Sequence, residues 1–253
     1  ILSSKPERQD VAFGNLTNGI TGISRAVMRL TKLEQFYIAN APITDEFFVE
    51  VAEDSAFYAE RDTWSWAEFE NLLDVEIYNC AQLTKLPLDL LCGAPELQSL
   101  NLSMNQGIAG KQLLSDWEAI ICGASGADIQ ILYFNSCNLE ETPDYSHLSR
   151  MTKLGLLDLS NNKLRKIHPF GKEIYPTTLY YDNNRIESIA PSEDGYFCGL
   201  GQLETFSCSN NQLTELPDLF DARSVHSMIT ANFSGNKIST LANGDQWRGL
   251  NTE

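Results

Sequence analysis

The alternation of apolar and polar positions is most regular between residues 154 and 167, Leu-Gly-Leu-Leu-Asp-Leu-Ser-Asn-Asn-Lys-Leu-Arg-Lys-Ile. Leu157 and Leu159 are two residues apart, the spacing of one face of a short strand. Leu154, Leu164 and Ile167 flank that pair on either side. Asn162 stands where the chain must turn out of the strand. A short amide there can hydrogen-bond backbone groups that the turn would otherwise leave buried and unpaired. One unit of this kind cannot bury its apolar edge alone, so the pattern predicts neighbours.

The same template recurs with register marks at Ala41, Cys80, Asn105, Cys137, Asn162, Asn184, Asn211 and Asn236. The marks are spaced 39, 25, 32, 25, 22, 27 and 25 residues apart, and the two long intervals predict insertions. The predicted inward strand pairs are Phe36/Ile38, Val75/Ile77, Leu100/Leu102, Leu132/Phe134, Leu157/Leu159, Leu179/Tyr181, Phe206/Cys208 and Ala231/Phe233. The offsets L-x-x-L-x-L-x-x-N-x-L-x-x-I, and the near copies SNNKL, DNNRI, SNNQL and SGNKI, resemble the leucine-rich-repeat family over about residues 30 to 245. Cysteine at two marks is an accepted substitute in that signature. The resemblance implies an α/β fold: a right-handed horseshoe solenoid of about eight repeats, with a parallel β-sheet on the concave face and helices and turns on the convex face.

Outside the repeats, residues 1–29 read as a polar, featureless arm over about the first 15, followed by a helix. Ile20, Ile23, Val27 and Leu30 give that helix its apolar stripe. It serves either as the outer half of a first repeat or as an N-terminal cap. The insertion at 44–71 carries nine acidic residues with Trp64 and Trp66. A helix beginning at Thr44 would set Phe47, Phe48 and Val51 on one side, and the segment either covers the core or projects toward a partner. The insertion at 113–128 reads as an outer helix through Leu113, Leu114, Trp117, Ile120 and Ile121. Pro87, Pro143, Pro169, Pro191 and Pro217 follow the marks and stop strand extension. From Asn162 onward the units are short, which predicts short helical turns or extended chain on the outer side. Residues 246–253 end the array, with Trp247 and Leu250 available to close a final unit. Any targeting segment is expected to have been removed or to lie upstream of Ile1.

The 43% hydrophobic content suffices for a continuous core. No apolar run approaches the roughly 20 residues of a membrane span. With 34 acidic and 18 basic residues the net charge is −16. Such a chain repels phosphate backbones and anionic lipid, so neither nucleic acid nor direct membrane insertion is expected. The acidity either keeps the surface soluble or recruits a basic ligand. Cys92, Cys122 and Cys198 precede glycine at equivalent places, Cys80 and Cys137 take the asparagine role, and Cys208 is inward. None has metal or redox spacing, which predicts free, buried thiols.

Catalytic chemistry is absent from the pattern. His147, His168 and His226 form no ligand spacing, and no nucleophile elbow or phosphate loop occurs. We expect no enzyme activity, no metal and no cofactor. Strand alternation instead places Tyr37, Glu76, Asn101, Tyr133, Asp158, Tyr180, Ser207 and Asn232 in one concave column. Ala39, Tyr78, Ser103, Asn135, Ser160, Asp182, Ser209 and Ser234 fall in the next. The candidate ligand-binding residues are Tyr37, Glu76, Tyr78, Tyr133, Asn135, Asp158, Tyr180 and Asp182, because rigid amphipathic rings beside carboxylates suit protein, peptide or glycan recognition. The sequons at Asn101 and Asn232 arise from the strand pattern itself. The mixed repeat lengths and Leu-Pro phrases resemble bacterial cell-surface leucine-rich-repeat proteins, which implies a non-catalytic interaction or adhesion role with a macromolecular ligand. A structural spacer displaying another domain, and an intracellular adaptor or effector, remain the alternatives; the oligomeric state is not written in the pattern.

Overall fold

The computed structural model describes residues 9–14, 30–48, 69–84, 94–108, 128–142, 151–168, 175–189, 202–216 and 227–239. The chain forms two compact units, Ile1–Asp128 and Ile129–Glu253. In the first, β1 (Gln9–Gly14), β2 (Leu33–Ala39), β3 (Asp74–Tyr78) and β4 (Ser99–Asn101) lie side by side in chain order, every pair parallel. The second unit begins with β5 (Ile131–Tyr133), β6 (Leu156–Asp158) and β7 (Lys166–Ile167). It continues with β8 (Thr178–Tyr180), β9 (Ser188–Ile189), β10 (Thr205–Ser207) and β11 (Thr230–Asn232). Strands β5, β6, β8, β10 and β11 pair in parallel in that order, and β7 pairs with β9. Each unit is a parallel-sheet solenoid, and β7 with β9 supplies the extended outer chain expected after Asn162.

The strands form where the apolar alternation places them. Phe36, Ile38, Val75, Ile77, Leu100 and Leu102 in the first unit are no more than 1% exposed. The same holds in the second for Leu132, Phe134, Leu157, Leu159, Leu179, Tyr181, Phe206 and Cys208. Tyr181, Phe206 and Phe233 continue the interior as an aromatic column, with ring centroids 6.2 and 5.6 Å apart. The pair Ala231/Phe233 is less enclosed: Ala231 is exposed and Phe233 half-buried. Among the described strands β11 has one hydrogen-bonded neighbour, β10.

Two expectations change. Residues 9–14, read as part of a featureless arm, form β1, with Val11 in register with Phe36 and Phe13 with Ile38. The segment escapes the template because the next mark would fall at Leu16, which is not asparagine or cysteine. The expected convex helices are represented, among the described residues, by one short 3-10 helix at Asp45–Phe48. There the Phe47 N–H donates to the Thr44 carbonyl at 2.9 Å and Phe47 is buried. The Asp45 carboxylate reaches across to accept from the Thr84 N–H at 2.6 Å and from the Thr84 hydroxyl. The helices read at 18–33 and 113–128, the remainder of the 44–71 insertion, the five prolines and the C-terminal closure lie wholly or mainly outside the described residues.

The asparagine marks hold each turn to the one before it. Asn162 donates to the carbonyls of Phe134 and Leu159, both at 2.9 Å, and its Oδ1 accepts from the N–H groups of Cys137 at 2.9 Å and Leu139 at 3.0 Å. Asn105 repeats this with the Ile77 and Leu102 carbonyls at 2.6 and 2.8 Å and the Cys80 N–H at 2.8 Å. Asn184 donates to Leu159 and Tyr181, Asn211 to Tyr181 and Cys208, and Asn236 to Cys208 and Phe233. Their Oδ1 atoms accept from the N–H groups of Leu164, Ile186 and Leu213 respectively. Cysteine fills the mark with a single sulfur in place of an amide. The thiols of Cys80 and Cys137 lie 3.5 and 3.4 Å from the carbonyls of Tyr78 and Asn135, their own near neighbours.

The residue just before each mark turns left-handed: Asn40, Asn79, Met104, Ser136, Asn161, Asn183 and Asn210 have φ between 50° and 62°, and Gly235 has 69°. This explains the first asparagine of SNN and DNN and its exchange for glycine in SGN, since asparagine and glycine enter this region most readily. Met104 (62°) and Ser136 (58°) occupy it without that advantage. A Cβ on Gly235 would sit 2.2 Å from Asn210 Oδ1.

Two stability changes of opposite sign are expected from urea unfolding. Asn162→Ala leaves buried donors and acceptors on two turns unpaired and lowers stability by about 3 kcal/mol or more; an unchanged midpoint would contradict the stapling role. Met104→Asn keeps the left-handed turn at lower strain and raises stability by about 1 kcal/mol at unchanged m.

Candidate functional site

The face of each sheet opposite the core is where the predicted candidates lie. All eight, Tyr37, Glu76, Tyr78, Tyr133, Asn135, Asp158, Tyr180 and Asp182, are half-exposed. The burial alternation in β3, β5, β6 and β8 reads half-buried, buried, half-buried, as one packed face and one open face require. In the first unit Tyr37 pairs with Glu76, Glu76 with Asn101, and Ala39 with Tyr78. In the second, Tyr133, Asp158, Tyr180, Ser207 and Asn232 align across five strands. The predicted first column is therefore formed within each unit. In the second unit the second column runs just past the strand ends, where the sheet hydrogen bonding continues: Ser136 N–H donates to the Ser160 carbonyl, Asn161 N–H to Asp182 and Asn183 N–H to Ser209.

Several polar candidates hold the scaffold as well as facing outward. Asp182 Oδ1 accepts from the Ser207 hydroxyl at 2.6 Å, the Ser209 N–H at 2.6 Å and the Ser209 hydroxyl at 2.7 Å. Asp158 accepts from the Ser160 N–H at 2.9 Å and from Asn135 Nδ2 at 3.2 Å. Asn101 accepts from the Ser103 N–H at 3.0 Å and donates to Glu76 at 3.1 Å, and Asn232 accepts from the Ser234 N–H at 3.1 Å. An Asx side chain two residues ahead of a strand-end N–H thus recurs as a local cap. The sequon amides Asn101 and Asn232 belong to this capping set.

Burial raises the Glu76 carboxyl above the ordinary range, Asp74 adds to the effect, and the Asn101 hydrogen bond opposes it. Burial, then Glu76, then Tyr78 raise the Tyr37 phenol. Cys208 is pushed up to about 12, first by burial and then by Asp182. Cys80 is raised by burial and pulled back by a backbone hydrogen bond with Ala41. Cys80, Cys137 and Cys208 are free and buried, as the sequence predicts; Cys92, Cys122 and Cys198 lie outside the described residues. No group of three metal-ligating side chains occurs among the described residues. Beside the first sheet, a groove of about 580 Å³ is walled by Glu34, Glu70, Asn71, Leu73, Pro95 and Glu96.

The open face of the second unit also contains residues that the repeat template passes over. Ile131 and Leu156 are half-exposed and in register with each other and with Thr178, followed by Thr205 and Thr230. Alternation puts Ile131 on the face of Tyr133, and Leu156 on that of Asp158. Their signal in the sequence is an aliphatic residue where the template calls for none.

A Leucine Rich Repeat family model matches residues 202–222. Among solved structures, a leucine-rich repeat protein from Bacteroides eggerthii is 39% identical with a TM-score of 0.73, covering 88% of this chain and 36% of that one. One from Bacteroides thetaiotaomicron is 41% identical with a TM-score of 0.72, covering 94% of this chain and 28% of that one. Lumican from Bos taurus is 23% identical over 188 residues, 68% of this chain and 54% of its own length. The chain therefore spans about half of that curated relative and about a third of the two Bacteroides proteins.

The raised Glu76 carboxyl gives a pH test. A carboxyl whose folded pKa lies above its unfolded value stabilises the fold at acid pH and loses that contribution as pH rises through the folded value. Glu76→Gln keeps the acceptor for Asn101, so we expect it to be more stable than wild type at pH 7 and no more stable below about pH 4. Urea midpoints across that range check it; a Glu76→Gln advantage that grows toward acid pH would refute the assigned direction.

Proposed function

Because this chain is a leucine-rich-repeat solenoid resembling bacterial leucine-rich-repeat proteins, we propose that it is a non-catalytic interaction module that binds a protein or other macromolecule through the open face of its sheet. In this reading the array runs over residues 30–245 as a right-handed horseshoe of about eight repeats, the open face is the concave one, and the protein works at a bacterial cell surface. The observation that carries it is the open face itself: four tyrosines and three carboxylates stand half-exposed on the strands or at their ends while the inward pairs from Phe36/Ile38 to Phe206/Cys208 are buried. Tyrosine brings large rigid contact area at low entropic cost, which is why it anchors interfaces. The likeness to two Bacteroides proteins at 39% and 41% identity supports a bacterial setting. A leucine-rich-repeat scaffold fixes only that a face is presented; its ligand is set by the side chains on that face.

The reading is tested by affinity capture from host-cell and bacterial-surface extracts, comparing wild type with a Tyr37/Tyr78/Tyr133/Tyr180→Ala variant of matched circular dichroism and unfolding midpoint. A partner retained by wild type and lost from the variant is the expected result. Equal capture by both would move binding off the open face.

A further inference from the structure

In the second unit, Tyr133 on β5, Asp158 on β6 and Tyr180 on β8 are direct register partners. Adjacent strands are about 4.8 Å apart, so the two ring-bearing positions stand about 10 Å apart with the carboxylate between them. A cationic group placed midway lies about 5 Å from each of the two tyrosine positions, near enough for aromatic rings there to attract it. Ile131 and Leu156 lie two residues earlier on the same face and form an apolar floor along one side.

The carboxylate at the centre is held in place by hydrogen bonds. It accepts from two neutral donors, the Ser160 N–H and Asn135 Nδ2. No Lys or Arg occurs on β5, β6, β8, β10 or β11. Among the described residues of this unit, Lys153, Lys163, Arg165, Arg185 and Lys237 lie outside the strands, and Lys166 is on β7, which pairs separately with β9. Asp182 adds a second carboxylate at the end of the Tyr180 strand, and the whole chain carries −16. Such a slot repels an anion and gives a neutral group only ring contact. A side chain with a cationic head and an apolar stem matches each part: head on Asp158 between the rings, stem along Ile131 and Leu156.

We propose that this slot receives an arginine or lysine side chain of a basic polypeptide partner. The inference rests on the open-face reading above and names its ligand class. Arginine fits best, because its planar guanidinium stacks between rings while donating to a carboxylate.

The test is a selection of phage-displayed dodecapeptides on the immobilised protein, counter-screened against Tyr133→Leu/Tyr180→Leu and followed by fluorescence anisotropy with the synthesised peptides. We expect peptides that depend on the two tyrosines to contain an Arg or Lys whose replacement by Gln weakens binding about tenfold or more. Asp158→Asn should weaken the parent peptide but not its Gln analogue, and Tyr133→Phe/Tyr180→Phe, which keeps both rings, should retain most of the affinity. Unfolding midpoints confirm that each variant is folded. Tyrosine-dependent peptides with no basic requirement would overturn the cation slot while leaving the open face as the binding surface. If no selected peptide depends on the tyrosines, the slot and the open-face reading fall together.

Discussion

The constraint on which this structure depends is the burial of backbone at every turn out of a strand. A parallel solenoid stacks its turns, so the carbonyls and N–H groups of one turn face those of the next with no water between them. An unpaired buried peptide group costs on the order of 1–3 kcal/mol, and a stack of such turns would not close on hydrophobic burial alone. The side chain of Asn162 satisfies two carbonyls and two N–H groups on adjacent turns. Asn105, Asn184, Asn211 and Asn236 likewise join carbonyls of two turns to a backbone N–H. Apolar strand pairs supply the driving force, and the amides allow it to be realised in one register.

That arrangement frees the other face of the sheet. With one face sealed against the core, strand alternation presents every second residue outward at a fixed spacing set by the hydrogen-bonded register. The outward residues then divide by task. Asp158, Asp182, Asn101 and Asn232 cap strand-end N–H groups, so their positions are tied to the backbone. The tyrosines between them project from a rigid sheet whose geometry the caps maintain. A recognition surface built in this way is largely pre-organised, which reduces the entropy lost when a partner is bound.

The cysteines show how one position can be filled for different reasons. At Cys80 and Cys137 a small side chain suits the enclosed space; each thiol lies near a carbonyl of its own turn, and the Cys80 thiol also has a backbone hydrogen bond with Ala41 on the turn before. The following asparagines, Asn105 and Asn162, accept from the N–H groups of these cysteines, which ties each of those turns to the next. Burial also keeps Cys208 a neutral thiol, pushed up to about 12 beside Asp182.

The sequence by itself determined the strand positions, the inward pairs, the asparagine marks and the columns in which Tyr133, Asp158 and Tyr180 fall, because all of these follow from a two-residue alternation repeated at a readable interval. It also contained the left-handed residue before each mark, visible as the exchange of asparagine for glycine between SNN and SGN. It did not determine β1, since Gln9–Gly14 becomes a strand through its register with Leu33–Ala39 and carries no mark of its own. Nor did it determine that Asp45 would bind the Thr84 backbone 39 residues away, or that Asp182 would cap the Ser209 N–H 27 residues away. Hydrogen bonds between residues distant in the chain have no period to betray them. Their partners are chosen only when the turns are stacked, and that choice belonged to the tertiary structure.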